Sequence, residues 1–471
     1  MDKYIEQIEN DEVVKLIKPY IIYKDVLIVG GFVRDVLMGK KSLDRDIIVC
    51  EEEVELFAKN LAENINGYFI ELDSENKIYR VVLEDKVNYI DITCPIENNL
   101  AMDLKRRDLT INAIAYDINT KRFVDMSNGI QDIKDKRIRG ISNKNFEDDP
   151  LRLLRIFRFY SKTGFEIDSE LIKLTKKMFK RINEPAKERI TVELLKLFEG
   201  KYAAQALMKM DECGLLDEIF PIMAEVKSIP PNTHHHLDLF HHSIETVKYI
   251  HEIYEQSQDE VKKHLELEKF GGVKELAFLK LAGFLHDIGK PQTWTIDEET
   301  GRHRFIKHDE VGSNIVVPIL KSLKFSKKQI EYVKTLIKYH IYPSGLVTAQ
   351  DVTDKAYIKF YRKMEDYVIS VILLAMADRL SARGEAVTEK MVTDNINALT
   401  DLLEGYLKKR DEIKPLEKIL DGIDIMEILN IEPSPRLGEI INELKEAQMS
   451  GLVNTKEEAV EFIKKNFSIN S

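Results

Sequence analysis

Between Gly30 and Val49 the chain reads GGFVRDVLMGKKSLDRDIIV. Asp44 and Asp46 stand two apart in a β-branched run. Residues so spaced on a strand share a face, and their carboxylates project side by side. Two such carboxylates can bridge a pair of divalent cations about 3.5–4 Å apart, the arrangement that supports in-line phosphoryl transfer. Gly30 and Gly31 fall between a strand and a helix, where bare backbone can approach phosphate oxygens. Arg34, one turn on, adds a forked cationic donor. The expected ligand is a nucleoside triphosphate with two magnesium ions. A DxD alone is a weak signal, because short motifs recur by chance; the twenty-residue constellation carries the reading. The GxxxxGK and GxGxxG spacings of other phosphate-binding loops are absent from this stretch.

These residues need elements to hold them. VLIVG and DRDIIVC read as strands around a short helix (FVRDVLMG), and further strands are expected at YRVVL and VNYIDIT. From Pro150 the apolar period becomes helical, with Leu153, Leu154, Ile156 and Phe157 as core. Pro221, Pro230 and Pro231 mark a linker, with His234, His235, His236 and His241 assigned to it, and helical patterns resume at Ser243. The expected fold is α+β: a small mixed-sheet head over residues 1–145, a helical neck over 146–220, an all-helical unit over 230–385 and a helical tail over 386–471. At 471 residues several domains are the default. The net charge is −11, yet residues 101–205 hold 23 Lys and Arg against 16 Asp and Glu, a local excess of +7. A basic middle between acidic ends suits a phosphate-backbone partner. No apolar run approaches a membrane span. The acidic N-terminus lacks a signal region, and three scattered cysteines argue for reduced thiols, so a cytoplasmic location is expected.

The opening constellation resembles the signature GGxVRDxLxG followed by DxD in class II tRNA nucleotidyltransferases and bacterial poly(A) polymerases. KRRDLTINAIAYD (105–117), NGIQDIKDKRIRG (128–140), EDDPLRLLRIFRFYSKTGFEID (147–168) and AKERITVELLKLF (186–198) resemble the family's later motifs in order. The resemblance implies a polymerase-β-like head and Mg²⁺ at Asp44 and Asp46. It also implies nucleotide contacts from Gly30, Gly31, Arg34 and Arg107, with Asp108 and Asn112 as sugar or structural contacts. Asp149 and Arg152, three apart at an expected helix start, share a face. Their acceptor and forked donor can pair with the Watson–Crick edge of cytosine or adenine, selecting CTP and ATP without a nucleic-acid template. Arg155 and Arg158 continue that stripe toward the nucleotide phosphates or the RNA. Asp91 is a weaker third acidic candidate.

LFHHSIE, LAGFLHDIGKP, IKHDEVGS and MADRLSARG together look like the HD phosphohydrolase superfamily. That resemblance implies His242, His286, Asp287 and Asp378 as ligands of a divalent transition metal (Ni, Mn, Fe or Mg), with His308 and His340 as further groups. Imidazole and carboxylate are both good ligands for such ions. The expected function is template-independent addition of CMP and/or AMP to the 3′ end of tRNA, with a phosphohydrolase activity in the HD domain. Residues Ile92–Met102, ITCPIENNLAM, are short and carry no Lys or Arg, where many CCA-adding members have a longer basic loop; a CC-adding specialist is therefore an alternative. Poly(A) polymerase is another, although the tail lacks a strongly basic extension. An HD phosphohydrolase with an RNA-binding head is the third.

Overall fold

The structure is a computed structural model that describes residues 1–21, 25–42, 44–50, 53–231, 236–350, 352–413, 418–449 and 452–467. The side chain of Asp44, and His234 and His235, lie outside the described residues. The chain forms two compact units, one of residues 1–223 with 322–324 and one of 224–321 with 325–471.

The first unit is built on seven strands: β1 Val26–Val29, β2 Asp44–Val49, β3 Tyr68–Asp73, β4 Ile78–Val82, β5 Tyr89–Thr93, β6 Ile114–Asp117 and β7 Arg122–Asp125. Their order is β3-β4-β5-β2-β1-β6-β7. Within this sheet β2 and β5 run parallel while the other neighbours are antiparallel. A parallel pair needs a long crossover, and the helix Val54–Asn64 with the β3–β4 hairpin supplies it. Alternation fixes two faces. Ile47, Val49, Tyr79, Val81, Ile90 and Ile92 are buried on one, as are Phe57 and Leu61 of the 54–64 helix packed on that half of the sheet. On the other, Leu27, Val29, Ile48 and Ala115 pack with Leu104 of the helix Leu100–Lys105.

Helices Leu151–Thr163, Ser169–Met178, Lys187–Glu199 and Ala203–Glu212 complete the unit. Leu153, Leu154, Ile156 and Phe157 are buried, as the helical period requires. Gly164 ends the first of these helices in the left-handed region, φ +68, which a side chain would oppose.

The second unit places helices Leu239–Gln256, Glu275–Leu285, Lys327–Tyr339 and Val368–Ser381 around the histidine–aspartate motifs. Helices Gly422–Leu429, Pro435–Met449 and Lys456–Phe467 enclose a small core of Ile425, Ile440, Leu444, Ala459 and Ile463. The unit is helical as expected, apart from one short antiparallel hairpin of Trp294–Ile296 and His303–Phe305. Its turn is set by Gly301 at φ +66 and by Asp297, whose carboxylate accepts from Thr300 N at 3.0 Å. The linker is shorter than expected. Met223–Val226 is helical, and the next helix begins at Leu239 because Asp238 caps it, accepting from His241 N at 2.9 Å. His241 is thus helical, with its ring held by Asp238 at 2.7 Å.

Candidate active site and metal centre

Gly30 adopts φ 69, ψ −122. A β-carbon there would lie 2.8 Å from Arg107 Nη1 and 3.5 Å from Asp46 Oδ2. The missing side chain therefore lets the turn close onto a guanidinium and a carboxylate at once. Arg107 is aimed by Asp103, whose Oδ2 accepts from Nη2 at 3.2 Å, and by the Asn112 carbonyl at 3.3 Å. Asp103 itself is buried. Gly30→Ala should combine backbone strain with a clash. We expect a loss of about 1–3 kcal/mol in thermal unfolding and a raised KM for the nucleotide.

Arg34 is not a solvent-facing cation. It is buried, donates from Nε to Asp35 at 2.9 Å and from Nη1 to Asn112 Oδ1 at 2.7 Å, and lies 4.9 Å from the Phe159 ring centroid. Asn112 Nδ2 in turn donates to Asp108 Oδ1 at 2.9 Å, and Arg155 Nε donates to Asp108 Oδ2 at 2.6 Å. Arg155 Nη1 reaches Glu193 Oε1 at 3.2 Å, and Arg158 Nε pairs with Glu193 Oε2 at 2.7 Å. A continuous run of charged hydrogen bonds thus joins the glycine turn to the 151–163 and 187–199 helices.

Burial alone would raise the Asp108 pKa; Arg155 and Asn112 overcome this and lower it. Burial, helped by Arg155 and Arg34, pushes Arg158 down to about 10, against the pull of Glu193, so it stays cationic at neutral pH. Because the folded pKa of Asp108 is depressed, its contribution exists above the unfolded value and disappears as pH falls through the folded one. Asp108→Asn should cost about 3 kcal/mol at pH 7. The gap to wild type should close on acidification below pH ~4, read by chemical denaturation across pH.

A cleft of roughly 500 Å³ opens beside this run, lined by Arg107, Asp149, Arg152, Arg155, Arg189 and Glu193 among others. Asp149 and Arg152 meet there, Nε to Oδ2 at 3.9 Å, but not through a shared helical face. Asp149 has extended backbone and precedes the 151–163 helix; Pro150 separates the two. Its Oδ2 accepts from Arg189 Nη2 at 2.7 Å, and Arg152 Nη1 donates to the carbonyls of Arg106 and Asn145 at 2.7 and 3.0 Å. Arg158 is not among the cleft-lining residues. Asp91 sits beside Asp46 in the parallel register and receives Arg80 at 2.7 and 2.8 Å. Sequence reasoning missed Asp103, Arg189 and Glu193. The available signal for Asp103 was a carboxylate four residues before Arg107, near enough to pair with it just past the helix end.

In the second unit, four histidines and two aspartates converge. His242 Nε2 lies 3.2 Å from His286 Nε2, 3.4 Å from Asp287 Oδ2 and 3.2 Å from Asp378 Oδ1. His308 and His340 approach the other side of Asp287, Nε2 to Oδ1 at 3.3 and 3.7 Å. Nδ1 of His286, His308 and His340 lies 2.8, 2.8 and 2.7 Å from the carbonyls of Gly283, Phe305 and Ile337. Spending the ring proton there turns each Nε2 lone pair inward, the tautomer that binds metal. Asp287 Oδ1 is buried and accepts no hydrogen bond among the described residues. Asp287 belongs to two three-donor sets, with His242 and His286 and with His308 and His340; His286, His340 and Asp378 make a third. Divalent metal fits this donor set better than any neutral arrangement. Burial pushes His340 down to about 3, with His286 and His308 adding repulsion. Burial also opposes charge on His286, but with no metal bound Asp287 and Asp378 raise it to about 10, and a metal would have to displace that Nε2 proton.

A strand-borne acidic residue beside a glycine turn, followed by a helical neck and a histidine–aspartate helical unit, defines a nucleotidyltransferase head joined to an HD domain. Residues 26–139 match the poly A polymerase head domain, 164–227 the probable RNA- and SrmB-binding site of polymerase A, and 239–383 the HD domain. The chain is 31% identical over 444 residues to the A-adding tRNA nucleotidyltransferase of Deinococcus radiodurans, covering 93% of this chain and 94% of that one. It is 28% identical to the CC-adding tRNA nucleotidyltransferase of Thermus thermophilus, covering 94% of each. The Thermotoga maritima CCA-adding enzyme complexed with tRNA shares the fold, with TM-score 0.55 at 20% identity over 99% of this chain and 98% of that one. The chain belongs to the tRNA nucleotidyltransferase family that carries the poly(A) polymerase head. Among the described residues, no helix is long and apolar enough to cross a membrane.

Proposed function

We propose that this protein adds CMP and/or AMP, from CTP and ATP, to the 3′ end of tRNA without a nucleic-acid template. The observation that carries the reading is the meeting of Gly30, Asp46 and Arg107 beside a cleft lined by Asp149, Arg152 and Arg155. Asp44 and Asp46 would hold Mg²⁺, which when bound activates the attacking hydroxyl and neutralises the leaving pyrophosphate. The bare Gly30 turn and Arg107 would together meet the phosphates. Asp149 and Arg152 offer an acceptor and a donor for the base edge; Arg155, fixed between Asp108 and Glu193, sets the wall of the cleft. A tRNA substrate supports a cytoplasmic location.

Segment 92–102, with no Lys or Arg, favours a CC-adding specialist within this reading. Extending radiolabelled tRNAs that end before CCA, after C and after CC, with each nucleotide supplied separately, tests both. Incorporation on none of them would overturn the proposal. Addition only up to CC would select the specialist, addition of A alone to the end carrying CC an A-adding enzyme, and all three additions the broader enzyme.

We further propose that His242, His286, Asp287 and Asp378, with His308 and His340, hold divalent metal for a phosphohydrolase activity. Its check is metal-dependent phosphate release from a phosphoester by the full chain.

A further inference from the structure

The sheet's carboxylate-bearing face does not end at Asp46. Cross-strand register carries it from Asp46 to Asp91, from Asp91 to Arg80, and from Arg80 to Ile70. The neighbouring row runs from Tyr89 to Val82 to Tyr68. The 54–64 helix packs on the opposite face of these strands, where Val81, Ile90 and Phe57 are buried. On this face Tyr68 is 52% and Ile70 42% exposed, and the Arg80 side chain is 32% exposed. Exposed apolar and aromatic side chains lying in adjacent rows mark a binding surface more often than isolated ones do.

The chemistry of the patch is specific. Arg80 spends its edge on Asp91 through two hydrogen bonds and lies 4.0 Å from the Tyr89 ring centroid. The result is a fixed, flat, cationic face backed by an aromatic ring. Lys86 lies 5.8 Å from the Tyr68 ring centroid. Aromatic rings and guanidinium planes on an open sheet stack unpaired bases, while nearby cations meet phosphates.

Direction selects the occupant. Asp46 pairs with Val29 of β1 on one side and with Asp91 of β5 on the other. Gly30, Arg107 and the nucleotide cleft lie on the β1 flank. In-line displacement requires the attacking hydroxyl to arrive opposite the leaving pyrophosphate, which is the β5 flank. We propose that the β5-β4-β3 face is a platform for the single-stranded 3′ end of the RNA acceptor, with bases stacked on Arg80–Tyr89 and Tyr68. The inference rests on the transferase reading above.

The test uses the full-length protein and a tRNA lacking its CCA end. Tyr68→Ala combined with Ile70→Asp changes only exposed side chains, and Tyr89→Ala removes the ring beneath Arg80. Each should raise the KM for the RNA roughly tenfold, the loss of about one base stack. The KM for CTP should stay within about twofold, since the cleft lies on the other flank. Tyr89→Phe should restore the wild-type value, which a mere loss of polarity would not predict. Unchanged RNA KM in both variants would overturn the platform, as would equal rises for RNA and CTP. So would a shift in sedimentation with normal RNA KM, which would make the face a contact between copies. Incorporation by the wild-type chain separates the two readings. If it extends no RNA, the transferase proposal fails; if it extends RNA and the platform variants do so with the wild-type RNA KM, only the platform fails.

Discussion

Replacing Asp46 with asparagine is expected to lower kcat for nucleotide incorporation about a thousandfold, while RNA binding stays near wild type. The side chain keeps its shape and loses one charge, so the fold should persist. What disappears is the anionic oxygen that lies 3.5 Å from where a Gly30 β-carbon would stand, beside Arg107. A charged group acting mainly on the transition state contributes several kcal/mol in a dry site, and about 4 kcal/mol corresponds to three decades in rate. Single-turnover incorporation of labelled CMP into a tRNA lacking CCA reads the effect. Activity within tenfold of wild type would remove Asp46 from the reaction.

Asp287→Asn should strip the second unit of metal and also destabilise the metal-free protein. Both carboxylate oxygens are committed: Oδ2 faces His242, His286 and Lys290, and Oδ1 faces His308 and His340. Burial opposes the charge, yet His286 and Lys290 hold this carboxyl well below its usual range. An amide in its place leaves Lys290 buried against a neutral partner, at a cost of about 3 kcal/mol. Metal content measured after dialysis should fall to background, and the unfolding midpoint in chelator should drop. Retention of metal at wild-type stoichiometry would refute the bridging role. Incorporation of nucleotide should be unaffected, which keeps this result separate from that of Asp46.

Much of this was readable from residue order. GGFVRD and DRD located the turn and strand because glycine conformations and β-branched runs are local properties. His242, His286, Asp287 and Asp378 were legible as candidate ligands, and the fold brings them together from three separate segments. The β3 strand was missed, since Tyr68, Ile70 and Leu72 are apolar on the solvent side and break the expected alternation. Strand β6 was hidden inside KRRDLTINAIAYD, where polar residues precede a fully buried Ile114-Ala115-Tyr116. The positions of Arg34 and Arg158 were also beyond the pattern. A helical stripe of arginines reads as solvent-facing until partners from distant segments, Asn112 and Glu193, are seen to enclose it. Ion pairs between residues far apart in sequence leave no periodic mark.

Two of the converging imidazoles stand at the first position beyond a helix: His286 after Glu275–Leu285 and His340 after Lys327–Tyr339. Convergence of the donors at this centre is therefore encoded in helix length. One residue inserted into either helix would swing its donor by about 100° around the axis and advance it about 1.5 Å. Natural variation should consequently tolerate exchanges along those helices far more readily than any change in their residue count.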